Sequence, residues 1–83
     1  MEAAAIASRL KTFLEQKFPY QDVTLTESTN LLEDWFVDSL GVVETVMFIE
    51  SSFGITLSRA DINGTNFKDI KTLSGLVAER IAP

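Results

Sequence analysis

No cysteine and no histidine occurs anywhere in this chain. The first absence excludes a disulfide framework, thiolate chemistry and a cysteine-based zinc site. The second removes the usual general base and the commonest metal ligand. No apolar run is long enough to span a bilayer. The N-terminus, Met1-Glu2-Ala3-Ala4-Ala5, is acidic where a signal peptide would be basic. These gaps predict a cytoplasmic protein without a membrane partner, a metal site or catalytic residues. Positive charge is also missing over a long stretch: from Phe18 through Ser58 there is no Lys or Arg.

That stretch holds Asp22, Glu27, Glu33, Asp34, Asp38, Glu44 and Glu50, which gives it a local charge of −7 within a chain of net charge −5. Nucleic acid would be repelled, because duplex binding needs a basic face. Basic protein surfaces would be attracted and steered. A hydrophobic content of 46% and a charged content of 23% fit a folded chain. Its 83 residues form one small domain, 1–83.

Periodicity predicts helices and little else. Ile6, Leu10, Phe13, Leu14 and Phe18 recur at helical spacing from about Ala3, and Pro19 ends the segment. A long irregular stretch follows to Asp38, with Val23, Leu25, Leu31, Leu32, Trp35 and Phe36 spaced to pin it onto a core. A strand at 22–26 is a weak alternative without a partner. Ser39 to Phe53 carries the strongest helical pattern, with Val42, Val46, Ile49 and Phe53 as its seam and Gly54 as its C-terminal cap. Leu40, Val43, Met47 and Phe48 widen the apolar surface, so this helix is either central or partly reserved for a partner. Ser58-Arg59-Ala60-Asp61 has capping-box spacing. Asn63-Gly64 reads as a turn, and Thr65 or Asn66 as the cap of a short helix through Phe67 and Ile70. Thr72 reads as the cap of a last helix bearing Leu73, Leu76, Val77 and Ile81. The fold class is all-α, a small helical bundle with one long crossing loop.

Asp38-Ser39-Leu40 stands where that loop meets the strongest helix. Asp or Ser there serves as a helix cap. A serine hydrolase is disfavoured, because no histidine is present to take the hydroxyl proton. A third reading is a modification site. A phosphodiester on Ser39 would lie at a helix start, where free N–H groups and the helix dipole favour an anion.

The run Val37-Asp38-Ser39-Leu40, then Glu44, Val46-Met47, Glu50 and Phe53-Gly54-Ile55, resembles the attachment motif and second helix of acyl carrier proteins. The likeness covers nearly the whole chain. It implies a four-helix bundle that is not an enzyme. It implies 4′-phosphopantetheine on Ser39, added from coenzyme A by a phosphopantetheinyl transferase, with the acyl group held as a thioester on the arm's thiol. Asp38 and Leu40 flank the anchor. Leu40, Glu44 and Met47 match positions that contact partner enzymes, with Glu50 close by. Positions 40, 44, 47 and 51 fall along one helix face. The implied partners are that transferase and acyl-loading and acyl-processing enzymes with basic docking surfaces, met by a monomer. The start Met and the ending just past the last helix favour a free-standing carrier.

The departures from fatty-acid carriers are Gly41 where Asp is common, Ser51 and Ser52 in place of a continued acidic run, Trp35-Phe36 in place of a Leu-Gly-type approach to the motif, and a longer loop from Thr56 to Lys71. Phe48-Ile49-Glu50 and Asp61-Ile62 followed by Asn66-Phe67 look more like discrete carriers of specialised pathways. These include carriers of glyceryl or methoxymalonyl-type units and aminoacyl carriers. The alternative outside this family is an unmodified acidic helical module that binds a partner by the same face.

Overall fold

Ile6, Leu10 and Leu14 recur at four-residue steps, and α1 (Ala3–Lys17) buries all three completely. A computed structural model describes residues 1–18, 22–36 and 38–82. Pro19, expected to end the first helix, and Val37 of the motif lie outside the described residues. Two further α-helices follow, α2 (Leu40–Phe53) and α3 (Ile70–Ile81). A π-type turn at Leu31–Trp35 and a 3-10 turn at Arg59–Asp61 complete the helical elements, and no strand occurs among the described residues. The all-α bundle expected from periodicity is therefore what forms, with two single turns as its short helical pieces.

α1 packs chiefly against α3 and more sparsely against α2. α3 contributes Ile70, Leu73, Leu76 and Val77 to the shared core. Its start corrects the sequence reading. Asp69, not Thr72, is the cap, and its Oδ1 accepts the Thr72 N–H at 2.7 Å. The carboxylate reaches forward from an extended residue, so the helix begins three residues earlier and Ile70 enters the core.

The short helix expected from Thr65 or Asn66 to Ile70 is instead a run of turns. Asn63 Oδ1 accepts the N–H groups of Thr65 at 3.0 Å and Asn66 at 2.8 Å. A side chain that takes the amides in this way competes with a helix. Phe67 nevertheless plugs the core, only 1% exposed. The capping box at Ser58 and Asp61 forms as its spacing predicts, around the 3-10 turn.

The long loop is fastened at three kinds of point. Leu25, Leu31, Trp35 and Phe36 are buried, as expected. Asn30 caps the π-type turn by accepting from the Leu32 and Glu33 amides. Backbone bonds tie the loop to the chain around α3, from Leu31 N–H to the Lys68 carbonyl at 2.7 Å and from Lys71 N–H to the Glu27 carbonyl at 3.1 Å. Val23 and Leu32, read as pins, are instead exposed. Four buried anchors and these bonds already fix the loop, so the intervening residues are free to face water.

Candidate functional site

Helix α2 buries a line that its valines do not form. The residues turned inward are Gly41, Thr45 and Ile49, four apart. Val42, Val46 and Phe53, expected to form the seam, are only half-buried. A threonine can sit inside because its hydroxyl donates to the Gly41 carbonyl at 2.8 Å, which satisfies it within the helix. This places Leu40, Val43 and Met47 outward at 57%, 51% and 64% exposure. They form one apolar stripe, and such a stripe beside the helix start is an unusual thing to leave in water.

Ser39 is the residue immediately before α2 and is exposed. It makes no capping hydrogen bond with its side chain. Asp38 does that work: its Oδ1 accepts the Leu40 N–H at 3.0 Å, and its carbonyl accepts from Gly41 at 3.1 Å. The Val42 and Val43 amides donate to the Ser39 carbonyl. The free N–H groups expected at this helix start are therefore already partnered. A phosphate on Ser39 would gain from the dipole of α2 rather than from vacant amides. The same arrangement suits a covalent attachment in another way. A carboxylate that caps the helix releases the neighbouring hydroxyl from capping, so Ser39 Oγ is available to an incoming enzyme.

The remaining sequence-predicted residues lie as follows. Glu44 is half-buried and pairs with Lys17 Nζ of α1 at 3.6 Å. Met47 lies one turn further along the outward stripe. Glu50 turns its carboxylate away to the chain that leaves the helix, where Oε2 accepts the Leu57 N–H at 2.9 Å.

A cleft of about 230 Å³ opens beside α2, lined by Leu32, Val42, Ile62, Asn63, Gly64 and Phe67. Val42 stands one helical turn beyond Ser39, so the cleft and the hydroxyl share the first part of α2. Its far wall is fastened to α3 by an ion pair between Asp61 and Arg80. The Arg80 guanidinium, with the Ser58 N–H, pushes the Asp61 carboxyl down to about 2. Sequence reasoning did not find this pair, because 19 residues separate its members. No helix of the described residues is long and apolar enough to cross a membrane, and no described acidic cluster could hold a metal ion.

Against known proteins, the chain matches the family of the phosphopantetheine attachment site over residues 4–79. It is similar to an acyl carrier protein of Thermotoga maritima, with 35% identity over 57 residues, 69% of this chain and 70% of that one. It is also similar to an acyl carrier protein of Lactobacillus acidophilus, with 28% identity over 78 residues, 94% of this chain and 91% of its relative.

Proposed function

Because this chain belongs to the acyl carrier protein family, whose members carry a covalent 4′-phosphopantetheine, we propose that Ser39 Oγ is the atom to which that group is joined. The observation that supports this most is the division of labour at the start of α2. Asp38 caps the helix and Ser39 keeps an exposed hydroxyl with no capping role. In the attachment Ser39 Oγ gives up its proton as the phosphodiester forms and the nucleotide half of coenzyme A leaves. The chain has no histidine, and the Asp38 carboxylate beside Ser39 is engaged by the Leu40 N–H, so the base is assigned to the transferase. Once joined, the group supplies the thiol that the sequence lacks; position and recognition remain with the protein.

Recognition falls to the outward stripe of α2. Leu40, Val43 and Met47 offer an apolar strip and Glu44 a carboxylate beside it. The matching partner surface is a shallow apolar hollow rimmed by Lys or Arg. Charge at such a rim raises the encounter rate and selects partners more than it adds affinity, which suits a carrier that must leave each enzyme. Glu50 has a structural role instead, holding Leu57 and the chain that leaves α2.

The cleft of about 230 Å³ lies below the range of roughly 300–1,000 Å³ usual for small-molecule sites. Its size suits a short cargo. The test of the whole reading is intact mass after incubation with coenzyme A and a broad-specificity phosphopantetheinyl transferase. The parent should gain one phosphopantetheine and Ser39→Ala none. A folded parent that gains nothing beside a carrier that loads normally would leave an unmodified interaction module in its place.

A further inference from the structure

We infer that Phe36 and Gly41 are a matched pair that sets where Ser39 stands; the inference rests on Ser39 being the attachment residue. Residues 36 and 41 bracket Ser39, and a ring-on-backbone contact brings them together. A methyl group added at Gly41 would stand 2.8 Å from Phe36 Cγ and 3.1 Å from its Cβ. Carbon atoms in good contact lie about 3.5–4.0 Å apart, so no side chain fits at 41 while the ring is present. Gly41 has no left-handed backbone; among the glycines only Gly54 does. The glycine is therefore there for space and not for conformation. Its presence in the first turn of α2 weakens the helix relative to alanine, and the approach of the ring accounts for tolerating that.

Both members are fixed from elsewhere. The Phe36 N–H donates to the Leu31 carbonyl at 2.8 Å, closing the π-type turn. Its ring meets Phe18 edge-on, with centroids 5.7 Å apart. The Gly41 carbonyl accepts from the buried Thr45 hydroxyl at 2.8 Å. The contact thus joins the end of α1, the loop and the first turn of α2, and Ser39 lies between its two members in sequence. Gly41 and Phe36 look like separate departures from fatty-acid carriers in the sequence. In the structure they are in contact, with bulk at 36 and none at 41. Phe36 and Gly41 are positioning residues, acting on the reaction only through Ser39.

The test is a double-mutant cycle on transferase loading, using the parent, Gly41→Ala, Phe36→Ala and the double variant. Loading kcat and KM are measured at a temperature where circular dichroism gives the folded fraction, and rates are corrected for it. Gly41→Ala should lower kcat by about tenfold or more at nearly constant KM, because the hydroxyl is displaced while the outward stripe is untouched. In the Phe36→Ala background the same substitution should cost less than about twofold. Equal costs in both backgrounds, or a Gly41→Ala variant that loads at the parental kcat, overturn the pair. If Gly41→Ala does not fold, a double variant that regains the fold supports the pair and one that stays unfolded overturns it. Phe36→Leu then tests positioning: a lowered kcat at parental KM supports it, and a parental kcat refutes it. A folded parent that fails to load refutes the attachment reading itself, so the two failures are distinct.

Discussion

Glu50→Ala separates a structural carboxylate from a docking one. Glu50 Oε2 lies 2.9 Å from the Leu57 N–H, seven residues further along the chain. Leu57 is buried, at 6% exposure, so the amide freed by truncation has poor access to water. A hydrogen bond to a charged acceptor contributes about 1.5–3 kcal/mol, and an orphaned buried donor costs about 1–3 kcal/mol. These describe the same loss and do not add, so about 2 kcal/mol is expected. For a domain of this size each kcal/mol lowers Tm by roughly 4–8 °C. Glu50→Ala should therefore melt about 8–16 °C below the parent. Glu50→Gln keeps an oxygen in place and should lose only the assistance of charge, about 1 kcal/mol or less.

Thermal unfolding by far-ultraviolet circular dichroism reads the first effect. Loading kcat/KM, taken where all variants are folded, reads the second. Both variants should load at the parental rate. A Glu50→Ala protein with the parental Tm would refute the structural role of the carboxylate. A Glu50→Gln protein with parental Tm but weakened loading would place Glu50 on the docking face after all.

Phe67→Ala should cost about 3–5 kcal/mol in urea unfolding, because the ring is fully buried; a loss below about 1 kcal/mol would mean the site collapses without it. Phe53→Ala should cost less, since Phe53 is half-buried between Phe48 and Arg9, and the reverse order would contradict the packing described. Glu44→Lys should change stability by no more than about 1 kcal/mol, as expected of an ion pair near the surface, while making loading slower and less dependent on salt; an unfolded Glu44→Lys would refute this. Asp61 has its folded pKa lowered from 3.8 to about 2, so the stability it contributes is complete above the unfolded value and is lost as pH falls toward the folded one. The gap in Tm between the parent and Asp61→Asn should be constant near neutral pH and close as pH falls from about 4 to 2; a gap that widens on acidification would refute the assignment.

Helix periodicity made the scaffold legible because Ile6, Leu10 and Leu14 lie on one stripe with no competing signal. Gly54 marked the end of α2 for an equally local reason, a left-handed residue with φ 67°. The residues misplaced were those whose role depends on something distant. Thr72 looked like a cap until Asp69, three residues earlier, supplied the carboxylate. Leu32 and Val23 looked like anchors because apolar residues usually are, but bonds to the Lys68 and Glu27 carbonyls already held the loop. At the site, Asp38-Ser39-Leu40 could be placed at a helix start from sequence, yet which of Asp38 and Ser39 caps the helix is decided by rotamer and not by residue type. The contact of Phe36 with Gly41 leaves no periodic trace at all, since one member lies in irregular chain.

The apolar excess of α2 has the same origin. A helix in a two-layer packing needs one buried stripe, and α2 fills its own with glycine, threonine and isoleucine. Gly41 leaves room for the close approach of Phe36 at the start of α2, and Ile49 is fully buried in the core, with Val42, Val46, Phe48 and Phe53 packed against it. The larger residues Leu40, Val43 and Met47 lie on the opposite side of the helix and stay exposed. Central and partner-facing were alternatives for this helix in the sequence. In the structure one face of α2 is buried and another is exposed and apolar, and Ser39 immediately precedes the helix.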